Sequence, residues 1–251
     1  MDRLERERAR HEAVTTASRA HYLALLHALG SQRRVLEYGC GPGGHAFHLA
    51  RRGAEVIGVD ISGQAIALAR RRARAEGLEG RCTFAVMNPE RLGFSDRSFD
   101  LVCGRGILHH LDLARAFHEV ARVLRPEGSA VFQEPLGHNP LIRLYRRLTP
   151  ELRTPDEHPL LETDLALARR HFEVVRTTPY HLGALAAVPL MRMPGFDRVL
   201  RALETADALA IRLAPSLGRH AWKFVLELAQ PRLHAADAPG LRAVAPARSS
   251  G

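Results

Sequence analysis

The residues of this 251-residue chain best suited to chemistry begin with the run Glu37-Tyr38-Gly39-Cys40-Gly41-Pro42-Gly43-Gly44. Glycines let a backbone turn tightly and approach a ligand that a Cβ would repel. A helix behind such a turn offers unpaired N–H groups. An acid two positions before the first glycine suits a ligand carrying a positively charged amino-acid group. Nicotinamide and flavin enzymes use a related loop, so the glycines alone do not decide. Asp60 adds a second element, because a carboxylate ending the next strand can accept both hydroxyls of a ribose, though a strand-end Asp can equally cap the following helix. Further along, His109, His110 and Glu134 are candidate proton acceptors, since an imidazole suits a base at physiological pH. The alternative for one of the histidines is capping, or packing against, the helix that begins near Asp112.

These residues need a frame that gathers them, and the apolar periodicity predicts one. RRVLEYGCG reads as a strand ending in glycines, GHAFHLARRG as a helix, and AEVIGVD as a second strand ending in an acid. ISGQAIALARRRARAEG reads as a long helix begun at Ser62 or Gly63 and stopped at Gly77. RCTFAVM and SFDLVCGRG follow as strands, LDLARAFHEVARVLRPEG as a helix stopped by Pro126 and Gly128, and SAVFQE as a fifth strand. HFEVVRTTPY and RHAWKFVLELAQ complete the set. Strands alternating with helices predict an α/β fold, a doubly wound, mostly parallel, Rossmann-like seven-stranded sheet with its ligand across the carboxyl ends of the strands. Gly39, Asp60, Asn88, Arg105 and Glu134 all fall at those ends.

The segment VLEYGCGPGGHAFHLARRGAEVIGVDIS resembles the first two motifs of class I S-adenosylmethionine (SAM) dependent methyltransferases. NPERLGFSDRSFDLVCGRGILHHLD and the VLRPEG that follows are similar to later motifs of the group often called type 11 methyltransferase domains. The likeness runs from about residue 33 to 135. It implies that Gly39, Gly41 and Gly43 wrap the methionine part of SAM, that Glu37 lies near its ammonium, and that Asp60 holds its ribose. Ile61 would pack on the adenine, and Arg105 would belong to the same cofactor site. Asn88 stands where the family usually has Asp, and its side-chain oxygen can still accept a hydrogen bond from the adenine amino group. The likeness also implies that an LHH histidine or the acid ending the fifth strand positions and deprotonates an acceptor. The activity so implied is methyl transfer from SAM to a small, largely apolar acceptor on O, N or C, leaving S-adenosylhomocysteine (SAH). The alternatives are other chemistry on a SAM-binding Rossmann-like frame, such as cyclisation, and methylation of RNA or protein.

Composition narrows the field. A net charge of +9 invites a nucleic-acid partner, yet nearly every cation is Arg, the sole Lys being Lys223, and no nucleic-acid module interleaves them with aromatics. A nucleic-acid partner is therefore not expected. Cys40, Cys82 and Cys103 lie in or beside apolar runs without metal spacing, which predicts buried free thiols and a reducing, cytoplasmic setting. The charged N-terminus is no secretory signal, and no apolar run reaches the length of a membrane span. His138, Asn139, Asp156, Glu157 and His158 match no metal motif, so no metal is expected. Tyr145, Arg146 and Arg147 read as a solvated helix face or a grip for an acidic substrate. Nothing in the sequence specifies an oligomeric state.

The organisation expected is an N-terminal helical segment over 1–32, with residues 2–29 as one helix, and a main domain over 33–230. Residues 138–161 and 182–216 are candidate substrate caps. The second carries Leu182, Leu185, Val188, Leu190, Met191, Met193 and Phe196, more apolar surface than a solvated loop tolerates. It reads as a lid over a pocket or as a hydrophobic helix packed on the sheet. Residues 231–251 are mostly Ala, Pro, Arg, Ser and Gly, a composition too poor in large apolar groups to order itself.

Overall fold

Short runs of Val, Leu, Ile and Phe between glycines form seven strands: β1 (Arg34–Tyr38), β2 (Glu55–Asp60), β3 (Cys82–Val86), β4 (Phe99–Arg105), β5 (Leu124–Pro135), β6 (Phe172–Tyr180) and β7 (Lys223–Pro231). The computed structural model describes residues 12–140, 142–143, 147, 158–191 and 193–232. The strands lie in the order β3-β2-β1-β4-β5-β7-β6, all parallel except β7, which runs antiparallel to both its neighbours. Central β1 is buried on both faces from Val35 to Tyr38, as expected of a parallel strand covered by helices on each side. Edge strand β6 keeps much of its length partly exposed.

The covering helices are α1 (Thr16–Gly30), α2 (Gly44–Ala50), α3 (Gly63–Ala75), α4 (Leu113–Val123), α5 (Glu162–His171) and α6 (Phe196–Leu213). Tyr22, Phe47, Leu49 and Ile66 of α1–α3 pack with Val35, Val56, Leu101 and Val131 on one face. Phe117 and Val120 of α4 and Leu165 of α5 pack with Phe132, Phe224 and Leu226 on the other. Cys40, Cys82 and Cys103 are buried free thiols. Among the described residues, no helix is long and apolar enough to cross a membrane.

Three boundaries differ from the sequence reading. The N-terminal helix is broken at Thr15, whose φ of −116° and ψ of 36° are not helical. The new helix start is held by Glu204 of α6, which accepts bonds from Thr16 Oγ1 (2.9 Å) and Ala17 N (2.9 Å), and a carboxylate is favoured there by the helix dipole. β5 begins at Leu124, not Ser129, because the residue before Pro126 is driven to extended backbone. A register irregularity against β4 absorbs the extra residues. β7 runs through Pro231, one residue beyond the expected domain edge.

The 182–216 insertion is helical: a 3-10 stretch over Ala184–Leu190, then α6. Ala184, Ala187 and Leu200 join Val14, Ile142 and Trp222 in a small core of their own. Met193 (58%) and Leu213 (76%) stay exposed. Residues 1–11, Tyr145, Arg146, Asp156, Glu157 and the tail beyond Arg232 lie outside the described residues.

Arg122 of α4 pins the segment between β3 and β4. Its guanidinium donates to Glu119 and Asp96 and to the carbonyls of Leu92 and Phe94, while Glu119 Oε2 accepts from Leu92 N at 2.6 Å. Arg122→Met should lower the unfolding free energy by about 2–3 kcal/mol, because it leaves Glu119 without its counter-ion and two carbonyls without a donor. Arg122→Lys should recover only part of this, since an ammonium lacks the fork. Urea unfolding measures both, and an unchanged midpoint in Arg122→Met would contradict the assignment.

Candidate active site at the carboxyl edge

The glycine loop leaves β1 at Tyr38 and turns into α2. Cys40 N donates to Val59 O (2.9 Å), binding the loop to the end of β2. Gly39, Gly41 and Gly43 have φ of 68°, 49° and 83°, values that L side chains rarely adopt. A Cβ on Gly39 would sit 2.6 Å from Ile107 Cγ1, and one on Gly43 would sit 2.9 Å from Phe84. A Cβ on Gly41 would meet nothing within 4 Å, so the loop faces open space there.

Asp60 ties two turns together. Its Oδ2 accepts from Gly41 N (2.9 Å) and its Oδ1 from Ser62 N (2.8 Å), while Ser62 itself caps α3. The capping and ligand-holding readings of Asp60 are therefore compatible, because each carboxylate oxygen keeps a further lone pair. Glu37 is buried, at 3% exposure, and its Oε2 accepts from Ala46 N at 2.8 Å. Burial pushes its carboxyl up to about 8, with the N–H groups of Ala46 and His45 pulling the other way.

Ile61 is 71% exposed at the end of β2, and Val86, whose strand partner is Asp60, is 57% exposed at the end of β3. Two apolar side chains thus stay in solvent at adjacent strand ends. Val86 escaped the sequence reading because an apolar residue in a strand signals core. Asn88 is exposed, and its Oδ1 accepts from Glu90 N (2.8 Å) in a local turn. Arg105 reaches across to Glu12 at 3.1 Å, so the N-terminal segment closes over the end of β4.

Glu134 ends the buried part of β5 with no exposure. Its Oε1 accepts from Ile107 N (2.9 Å) and Leu108 N (3.0 Å), and its Oε2 pairs with His109 Nδ1 at 2.7 Å. The carboxylate holds the turn after β4 and orients one ring of the LHH segment. Nε2 of His109 has no hydrogen-bond partner among the described residues. The His110 ring packs tilted against that of His109, with centroids 4.1 Å apart. The helix near Asp112 takes neither histidine as its cap; Asp112 Oδ1 accepts from Ala114 N and Arg115 N instead. Asn139 holds local structure, donating to His220 O and accepting from Ile142 N. Among the described residues no group of His, Cys, Asp or Glu has a metal-holding arrangement.

Glu37 carries a pH signature. Its folded value of about 8 lies above the unfolded value of 4.5, so between them the folded chain retains a proton that the unfolded chain releases. The contribution is full below pH 4.5, falls as pH rises to about 8, and is flat beyond. The difference in unfolding free energy, wild type minus Glu37→Gln, should therefore decline across that window in denaturant titrations. A difference that grows with pH would contradict it.

Part of the chain matches a known family. A family model described as a methyltransferase domain matches residues 35–128. The ubiquinone biosynthesis O-methyltransferase of Alkalilimnicola ehrlichii is 39% identical over 121 residues, covering 47% of this chain and 48% of that protein. The fatty-acid O-methyltransferase of Mycolicibacterium smegmatis is 34% identical over 193 residues, covering 72% of this chain and 62% of that protein. The chain thus spans about half of the first and under two thirds of the second. The fold is shared with Haemonchus contortus phosphoethanolamine N-methyltransferase 2, solved with S-adenosyl-L-methionine, at a TM-score of 0.62 and 20% identity over 89% of this chain and 56% of that one. With its glycine loop, Asp60 and LHH segment set on one strand edge, the chain carries a class I SAM-dependent methyltransferase domain.

Proposed function

We propose that the protein transfers a methyl group from SAM to a small, largely apolar acceptor, with His109 as the proton acceptor. The observation that carries this reading is the pairing of an open glycine cradle, joined to Asp60, with an oriented imidazole near the same strand edge. The residues present fit SAM. Space over Gly41 admits a ligand, the Glu37 carboxyl answers an ammonium, Asp60 retains lone pairs for ribose hydroxyls, and Ile61 and Val86 offer an apolar face for adenine. Asn88 keeps a lone pair for the adenine amino group, and Arg105 stands at the end of β4 beside them. When bound, SAM supplies an electrophilic methyl group, so this chain's task is chiefly alignment and proton removal.

His109 and Glu134 divide that task. Both oxygens of Glu134 are engaged, which makes it a positioning residue. By accepting from Nδ1–H it leaves the His109 Nε2 lone pair available to take a proton from the acceptor. An apolar acceptor is supported by the exposed Met193 and Leu213 of the 182–216 insertion, which we assign as a substrate cap. The fatty-acid O-methyltransferase among the relatives is named for an acceptor of the same apolar kind.

Reacting isotopically labelled SAM with a cell extract and following the label by mass spectrometry tests the reading and identifies the acceptor. Absence of both labelled product and SAH would overturn it. Asp60→Ala should weaken SAM and SAH binding by about 1–3 kcal/mol, because it leaves the ribose hydroxyls of the bound cofactor without their acceptor. Calorimetry measures this, and unchanged affinity would remove Asp60 from the site. With an acceptor in hand, His109→Ala should lower kcat by about 10²–10⁴-fold at unchanged SAH affinity. Glu134→Gln should have a smaller effect, and normal turnover in both variants would mean that alignment alone drives the reaction.

A further inference from the structure

Lys223 is the sole lysine among 36 basic residues, and it opens β7 beside the site. It stands opposite Pro135, next to Glu134, on one side and opposite Tyr180 on the other. Directly opposed residues share a face of the sheet. Lys223 therefore faces the same side as Tyr180 and, two residues along β5, Gln133, the partner of Arg105.

The charges around it leave it uncompensated. Arg105 and Lys223 repel each other, and the two nearby acids are committed elsewhere: Glu12 to Arg105, Glu134 to Ile107 N, Leu108 N and His109. His181 and Tyr180 at the end of β6 bring no negative charge at neutral pH. The Lys223 ammonium makes no hydrogen bond or ion pair among the described residues, and its Nζ lies 5.4 Å from the centre of the Trp222 ring. A half-buried ammonium without a counter-ion is costly, and an incoming anion removes that cost. Burial, with Arg105 adding to it, accordingly holds the amine down at about 8.

Apolar room adjoins its strand partner Tyr180. Tyr180 also lines a cavity of about 290 Å³ between α1, β6 and α6, with Ala17, Pro179, Ala208 and Ile211. Its acids, Glu204 and Asp207, turn their oxygens to Thr16 and Ala17 and to Gly183 and Ala184. The volume lies near the lower end for ligand pockets, roughly 300 Å³.

We propose that Lys223 is the anion-recognising residue of the acceptor site, holding the carboxylate of an apolar acceptor whose body enters this cavity, while the methylated atom belongs to a separate group that gives its proton to His109. The assignment rests on the methyltransferase reading and names the acceptor class for that site.

Because Lys223 is the only lysine, [ε-13C]lysine labelling of the full chain yields one side-chain signal whose titration can be followed directly. Its midpoint near pH 8 should move upward with saturating decanoate and stay in place with decanol. By calorimetry, with and without SAH, decanoate should bind at least about tenfold more tightly than decanol, as expected of a charge-assisted contact. Lys223→Met should lose that preference while retaining SAH affinity. Lys223→Arg should keep it and, unlike wild type, hold it as pH rises above 8. Equal binding of the two probes, binding of neither, or a preference that survives Lys223→Met would overturn the proposal. Loss of SAH binding in the wild type would instead sink the methyltransferase reading, with the decanoate preference still deciding the role of Lys223.

Discussion

Glu134 is a fully buried carboxylate whose two oxygens accept from Ile107 N, Leu108 N and His109 Nδ1. A charge in that position is tolerated only because each bond is short and several converge on it. The constraint propagates. Holding Ile107 fixes the side chain that lies against Gly39, where a Cβ would be 2.6 Å away. The turn after β4 and the glycine loop after β1 are thus packed on each other, and the geometry of one is set by the other. Gly104, whose Cβ would meet Ile107 and the Tyr38 carbonyl, is required for the same close approach.

Asp60 does for the β1–β2 side what Glu134 does for the β4–β5 side. It binds Gly41 N and Ser62 N, so the cradle and the start of α3 move as one piece. Acids at strand ends are commonly read as ligand groups, and here they also brace the backbone. A site built this way is rigid before any ligand arrives, which limits the ordering cost of binding. The exposed Ile61 and Val86 fit the same logic, since an apolar surface left in water on a rigid frame is surface that a flat ligand can cover.

The other half of the edge is assembled from segments far apart in the chain. Glu204 of α6 starts α1, Ser18 of α1 bonds both His181 (2.8 Å) and Gln133 (2.7 Å), and Glu12 meets Arg105. The N-terminal segment, the insertion and the last strand therefore close on one another around the ends of β4 to β7. Lys223 sits within that closure, and its electrostatic surroundings come from four different elements.

The alternating strands and helices of residues 33–135 were legible in the sequence because their signals are local. Apolar runs of strand length, the stop at Gly77, and the acid-glycine spacing from Glu37 to Asp60 need no distant partner to be read. The candidate residues at strand ends followed from the same rule of parallel sheets. Local propensity could not place the break at Thr15, because the carboxylate that holds the new helix start belongs to Glu204, 188 residues from Thr16. Nor could it divide the roles of Glu134 and His109, which depend on a hydrogen bond between two strands. The early start of β5 turned on Pro126, a residue first read as a helix stop. Lys223 shows the limit most clearly: sequence marks it only as a rare residue, while its uncompensated charge is a property of the carboxylates around it. Periodicity and turn chemistry act over a few residues and are written in the chain; burial and electrostatic surroundings are sums over neighbours that only the tertiary structure brings together.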